Sequence, residues 1–453
     1  MPEIRTLLVA NRGEIACRII ATCRQMGIRT VAIYSEADAG AAHVSMADEA
    51  HLVGPAPARD SYLRGDTIID IAGKTAADAI HPGYGFLSES PDFARAVTAA
   101  GLIWVGPDAG VIEQMGDKEK ARTLARDAGV PVLSGSRRFA IGDLDGIEEA
   151  AAEIGYPVLV KAACGGGGIG MRRADDATAL RDVVAKTQSM AERLFGDGTV
   201  YLERFVGRAR HVEVQVFGFG DATAVHLFDR DCSVQRRFQK VIEEAPAPDL
   251  PDPVRAAMRA AAVQLAAAAS YAGAGTVEFI YDVDRGDFSF LEMNTRIQVE
   301  HPATEMTTGI DLVRWQIEQA GGHRDPIDQD AIVQTGHAVE ARIYAERPEK
   351  NFLPSPGTIE TVSWPEERGG LRIDHAVRSG DTITPFYDPM IAKVIAFGPD
   401  RASAIARLDT ALEAVRIVGV STNVEFLRRV LAAPDFRGAR LTTTMIEDLL
   451  VPA

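Results

Sequence analysis

Cysteine is scarce in this chain. There are four in 453 residues, Cys17, Cys23, Cys164 and Cys232, and no CxxC pair among them. Scattered this widely, they exclude a disulfide framework and a thiolate metal site, and they fit a reducing compartment. Long apolar runs are missing too. The richest stretch, residues 256–269, is mostly alanine and carries Arg259 and Gln264, so it reads as a helix of a water-soluble protein. Positive charge is in deficit, 48 Lys and Arg against 64 Asp and Glu, and the net charge of −16 argues against a general nucleic-acid or anionic-membrane binder. Neither GxGxxG nor GxxxxGK[ST] occurs, which removes two familiar phosphate-loop signatures. No fixed-period repeat or low-complexity tail is present. The first residues run straight into a strand-like segment, so no signal or transit peptide is expected.

What is present is ordinary for a globular protein: 46% hydrophobic and 25% charged residues, with length for two to four domains. Residues 4–10 read as a buried strand. Asn11, Arg12 and Gly13 turn the chain into a helix with Ile15, Ile19, Ile20 and Cys23 on one side, and residues 30–34 form the next strand. Strand, glycine turn, helix, strand opens a doubly wound parallel sheet, and here the turn is expected to serve the crossover alone. A short strand over 76–80 leads into a glycine-rich loop at 81–89, whose Tyr84 and Glu89 are either ligand contacts or loop packing. Helical pattern begins near Lys118. Strands at 157–161 and 201–205 flank a glycine run, Gly165 to Gly168, of the kind whose amides approach phosphate closely. Residues 211–216 alternate and place His211, Glu213 and Gln215 on one face. Residues 229–240 pack three arginines and a lysine into what reads as one loop, a pocket for anionic groups. Residues 309–320 are expected to be helical. From about residue 334 the chain turns β-rich, with strands at 337–344, 358–364, 371–377 and 391–397, followed by a helix over 401–415.

Chemistry concentrates at residues 291–301, where two carboxylates, an amide pair, a guanidinium and an imidazole fall within one short segment. The approach reads as a strand, and residues 276–281 as its hairpin partner. A turn centred on Arg285 sets Glu278 opposite Glu292, about 5 Å apart at Cβ, with Asn294 on the same face. Two carboxylates and an amide oxygen suit a hard cation such as Mg²⁺. A register slip of one residue separates the pair.

The motifs at 10–16, 81–89, 115–118, 230–237, 243–246 and 292–302, taken together, resemble the biotin carboxylases, which are ATP-grasp enzymes, over essentially the whole chain. The resemblance implies a mixed α/β and α+β architecture: an N-terminal parallel-sheet domain at 1–115, an ATP-grasp domain at 116–330 with a mobile glycine-loop lid at about 132–203, and a C-terminal α+β domain at 331–453. It implies ATP contacts at Lys118, Lys161, Gly165, Gly166, Gly167, Gly168, Glu203, His211, Gln235 and Ile280, and two Mg²⁺ or Mn²⁺ ions at Glu278, Glu292 and Asn294. Bicarbonate falls to Lys240, Arg296, Gln298 and Val299, with Glu300 as general base. Arg342 faces the biotin ureido oxygen, and Tyr84 and Asp388 line the biotin side. Cys164, Ile169, Phe238 and Arg347 depart from the family pattern without removing a proposed chemical group. No Met-Lys-Met attachment site and no transferase region occur, so the expected partners are a separate biotin carboxyl carrier protein, a carboxyltransferase subunit and a second copy of the chain, in the cytoplasm. Competing readings are another bicarbonate-activating ATP-grasp ligase and a non-catalytic nucleotide-binding subunit.

Overall fold

The computed structural model describes residues 3–163 and 170–450. Its first sheet is parallel and contains β1 (Thr6–Val9), β2 (Arg29–Ser35), β3 (Glu49–Gly54), β4 (Ala79–His81) and β5 (Ile103–Trp104), in the spatial order β3-β2-β1-β4-β5. Leu7 and Val9 pack on Ile15, Ile19 and Ile20 of the helix Gly13–Gln25, while Leu8 packs on Ile68, Ile71 and Phe93 on the other side. Both faces of β1 are therefore covered, which is why its sequence is continuously apolar. Strand order reverses beside β1, and ligand crevices of open α/β sheets lie beyond the strand ends at such a point. The strand expected over 76–80 begins later, because Ala76 sits in the left-handed region at φ 50° and closes the preceding helix.

A small antiparallel sheet follows: β6 (Gly135–Phe139), β7 (Val158–Ala162), β8 (Met171–Ala174) and β9 (Val200–Arg204), ordered β6-β9-β7-β8. Helices Ile147–Ile154 and Ala177–Phe195 back it, and its core of Phe139, Val158, Val160, Leu180 and Leu202 is its own. The expected lid loop, Gly165 to Gly168 with Cys164 and Ile169, lies outside the described residues.

The largest sheet has eight strands. It contains β10 (Ala209–Phe219), β11 (Ala224–Arg236), β12 (Gln239–Ala245), β13 (Ala272–Asp282), β14 (Asp287–Asn294), β15 (His337–Tyr344) and the strands Leu371–His375 and Met390–Gly398. The order is β14-β13-β10-β11-β12-β15, then Met390–Gly398, then Leu371–His375. Strands from both sides of residue 330 thus share one hydrogen-bonded sheet.

Three expectations need correction here. Residues 229–240 are not a loop but a strand, a turn at Arg237 and Phe238, and a second strand. A helix, His301–Thr308, follows the reactive segment, and Gly309 ends it at φ 73°; the next helix starts at Leu312, where Asp311 accepts from the Arg314 amide. Residues 358–364 form two short pieces, Gly357–Thr358 and Thr361–Ser363, around the buried Ile359. Among the described residues no helix is long and apolar enough to cross a membrane.

Candidate active site

The three sheets meet around one cleft of about 1590 Å³. Its floor is the β13–β14 hairpin. Glu278 does pair with Glu292, but not by the route expected. Asp282 pairs with Asp287, so the turn is centred half a residue earlier than Arg285. Continued regularly, that register sets Glu278 against Leu291 and puts Glu292 on the core face beside Val277. A bulge at Leu291 inserts the extra residue and corrects the slip. Met293 then pairs with Val277 in the core, and Asn294 pairs with Thr276 on the site face.

The neighbouring strand β10 carries His211, Glu213 and Gln215 on that same face, and the charges interlock. Arg230, fully buried on β11, donates to Glu213 Oε1 at 2.6 Å, Gln215 Oε1 at 2.8 Å and Thr304 Oγ1 at 2.9 Å. Lys240 Nζ donates to Glu213 Oε2 and Glu300 Oε1, both at 2.7 Å, and to Glu278 Oε1 at 2.9 Å. Arg342 Nη2 donates to the other Glu300 oxygen at 2.8 Å. Burial by itself raises the Glu300 carboxyl, but Lys240, Arg342 and Arg230 overcome it and hold Glu300 well below the usual carboxylate range. Glu300 is therefore an ionised base buried beneath Lys240 and Arg342, not on the cleft wall. The basic residues of 229–240 also fall differently from expectation. Arg230 and Arg236 face the protein's own acids, Glu213 and Glu346, and Lys240 is the cation of this segment that reaches the cleft.

Arg296 lies across from this cluster. Its Nε donates to Glu89 Oε2 at 3.0 Å, and its Nη2 to Asn294 Oδ1 at 3.0 Å. The alternatives left open for Glu89 resolve into a structural role: it anchors Arg296 and accepts from the Thr295 amide. Gln298 Nε2 donates to Glu278 Oε1 at 3.0 Å. Val299 lines the cleft, with its carbonyl accepting from Lys393 Nζ at 2.9 Å.

On the side toward the small sheet, Lys118 begins the helix Lys118–Asp127, where Asp117 caps by accepting from the Glu119 and Lys120 amides. Lys161 on β7 donates to Glu203 Oε2 at 2.7 Å, and Arg122 donates to Glu203 Oε1 at 2.5 Å. Gln235 Nε2 lies 2.9 Å from His211 Nδ1, and His211 Nε2 lies 2.8 Å from Glu278 Oε2. Burial works against a charged His211, yet Glu278 raises it above its ordinary value. Lys118, Lys161, Glu203, His211 and Gln235 all line the cleft. Ile280 shares the face of His211 but packs into a small cluster with Leu133, Val206, Ala209 and Leu291 instead of lining it.

On the opposite side, the first sheet supplies more than a crossover turn. Asn11 Nδ2 donates to the carbonyls of Pro82 at 2.7 Å and Tyr84 at 2.8 Å, tying the loops beyond β1 and β4 together. The Tyr84 hydroxyl donates to Glu14, which also faces the buried Lys393 at 3.2 Å. Asp388 lines the cleft on a loop held by Tyr387, whose ring lies under the Arg12 guanidinium. Glu14, Glu243 and Lys393 are site residues that pattern reading passes over, and it finds Glu213 only as one of three polar residues on a strand face. Each lies on a strand or helix whose period marks it as inward-facing, but only the fold says what it meets.

The hairpin fits a hard divalent cation. Glu278 raises Glu292 above its ordinary value, with burial adding to the effect against Lys118. Two facing carboxylates are oxygen donors of the kind such an ion takes, while the Asn294 amide here donates its Nδ2 to Glu278 Oε1 at 2.9 Å and turns its oxygen to Arg296.

Three stretches match family descriptions: residues 3–112 the "Biotin carboxylase, N-terminal domain", 117–327 the "Carbamoyl-phosphate synthase L chain, ATP binding domain" and 340–448 the "Biotin carboxylase C-terminal domain". The chain is 48% identical to Biotin carboxylase 2 of Bacillus subtilis, over 98% of this chain and 99% of that protein. It is also 48% identical to the mouse mitochondrial methylcrotonoyl-CoA carboxylase subunit alpha, of which it spans 63%. A solved structure of the biotin carboxylase domain of Hydrogenobacter thermophilus 2-oxoglutarate carboxylase, a dimer with MgADP, ADP and bicarbonate, superposes with a TM-score of 0.92 at 44% identity, covering 99% of this chain and 98% of that one. Together the three matches cover most of the chain, and with 48% identity over nearly the full length of a biotin carboxylase the chain belongs to the biotin carboxylase family.

Proposed function

We propose that this chain uses ATP and bicarbonate to carboxylate biotin held on a separate carrier protein, the first half-reaction of an acetyl-CoA or other acyl-CoA carboxylase. The observation that carries the reading is Glu300, a buried carboxylate kept ionised by Lys240 and Arg342 beside a cleft lined by Lys118, Lys161, Glu278 and Glu292. Bicarbonate is a poor nucleophile and needs its proton removed as it attacks the γ-phosphate. Arg296 holds the anion with Gln298 and Val299, and Glu300 accepts the proton. Lys118 and Lys161 neutralise charge on the transferring phosphoryl group, and the glycine amides at 165–168 assist. When bound at Glu278, Glu292 and Asn294, magnesium or manganese neutralises phosphate charge as well. The product of the attack, carboxyphosphate, collapses to CO₂ and phosphate in a closed site. Phosphate takes the biotin N1′ proton, and Arg342 stabilises the negative ureido oxygen that results. Tyr84 and Asp388 line the ring's approach, while Glu203, His211 and Gln235 serve the nucleoside end.

The same reading assigns the chain a biotin carboxyl carrier protein and a carboxyltransferase subunit as partners, a second copy of itself, and the cytoplasm as its compartment. The acyl acceptor belongs to the transferase. The test is ATP cleavage by the purified chain. Dependence on bicarbonate and stimulation by free biotin support the reading. Cleavage indifferent to biotin points instead to another bicarbonate-activating ligase, and tight ATP binding without turnover to a nucleotide-binding subunit.

A further inference from the structure

Beside Arg342, on neighbouring strands of the largest sheet, lies a pair of acids that the reaction above leaves unused. Glu243 on β12 and Glu340 on β15 are cross-strand partners in register. Directly opposed residues leave the same face of a sheet, with Cβ atoms about 5 Å apart. Both are fully buried. Glu243 Oε1 lies 2.5 Å from Arg342 Nη2, the same nitrogen that donates to Glu300. Glu340 precedes Arg342 by two residues on one strand, so the two share a face. Among the described residues none of the four Glu243 and Glu340 oxygens accepts a hydrogen bond, so the ion pair with Arg342 is the close contact that Glu243 makes.

Two opposed carboxylates in a buried site do not both ionise readily. Burial, reinforced by Glu300, pushes Glu243 up to about 7 against the pull of Arg342 and Lys240. Burial also holds Glu340 well above the usual carboxylate range, although Lys393 and Arg342 oppose it. Lys393 is already engaged by the Val299 carbonyl at 2.9 Å, Glu14 at 3.2 Å and Asp374 at 3.5 Å. From the helix that packs over these strands, His301 faces in and burial keeps it neutral.

We propose that Glu243 and Glu340 hold one proton between them and act as positioning residues for Arg342, fixing its guanidinium at the cleft while Glu300 gains and loses a proton. The inference rests on the biotin-carboxylating reading above. When Glu300 takes the bicarbonate proton, its hold on Nη2 weakens, and Glu243 keeps the guanidinium in place. Loss of the shared proton at higher pH adds a negative charge beside Arg342 and draws the guanidinium away from the ureido oxygen.

Infrared spectra and rate–pH profiles of the full chain test this. Near neutral pH the wild type shows a protonated-carboxyl band that shifts in each of Glu243→Gln and Glu340→Gln and disappears when both are replaced. The wild-type rate of biotin carboxylation falls as the shared proton is lost, and the variant with both Glu243 and Glu340 replaced by glutamine lacks that alkaline fall. Glu243→Gln lowers kcat for biotin carboxylation by about 10-fold, the size usual when a supporting hydrogen-bond partner is removed, with the KM for ATP unmoved. No such band in the wild type, a band unmoved by either single replacement, or a double-variant profile that superimposes on the wild type's overturns the proposal. The band is read without turnover, so its absence is distinct from a failure of the carboxylation assay.

Discussion

Arg230 and Glu213 carry opposite charges with no exposed surface, and each depends on the other. Burying such a pair gains little, but removing one member strands the other. Glu213→Gln is expected to destabilise the fold by about 3–5 kcal/mol, read from denaturant unfolding at constant m-value. A loss below about 1 kcal/mol, the range of an exposed pair, contradicts this account of the floor. The same clustering predicts the acid limit of stability. Burial favours the neutral forms of Glu300, Glu244 and Asp374, and neighbouring groups override it: Lys240 and Arg342 at the first, hydrogen bonds from His337 and Arg401 at the second, Arg372 and Lys393 at the third. Each carboxyl is held below its ordinary value, so its contribution is complete above 4.5 for glutamate and 3.8 for aspartate and is lost as pH falls below those values. The thermal midpoint should drop steadily with pH in that window; a flat midpoint is the contrary result. Which residues touch was legible only in part. Glu278, Glu292 and Asn294 announced themselves by spacing. Glu213 looked like one of three polar residues on a strand face, and nothing in its neighbours along the chain names Arg230.

Two local devices decide where side chains point. The bulge at Leu291 returns Glu292 to the face of Glu278 after a turn whose true centre would have turned it inward. Alternation in the sequence could find the hairpin but not the bulge, since one inserted residue changes a face without changing composition. The second device is the two-residue turn between β11 and β12. Arg237 and Phe238 both lie in the left-handed region, at φ 49° and 65°, the pattern of a hairpin turn usually built from Asn and Gly. That choice of residues hid the turn and made 229–240 read as a loop. Phe238 is 63% exposed, so removing its ring forfeits little packing. Phe238→Gly should stabilise the chain by about 1–2 kcal/mol, checked by thermal unfolding. A lower midpoint would mean that the ring supports the hairpin.

At the scale of the whole molecule, the parallel sheet and the β-rich character of the last third were legible because hydrophobic periodicity reports strands and helices locally. The joining of β12 to β15 was not. That pairing links residues nearly a hundred positions apart, and no local pattern reports it. It sets Arg342, from the last third of the chain, against Glu300, and Lys240 closes the group from the middle. The reaction assigned to the chain depends on that convergence. Transfer of radiolabel from bicarbonate to biotin tests it most directly, compared between the wild type and Glu300→Gln with ATP binding measured in parallel. The account predicts label on biotin in the wild type and, in the variant, a loss of about 10²-fold or more with ATP still bound. Undiminished labelling by Glu300→Gln would contradict it.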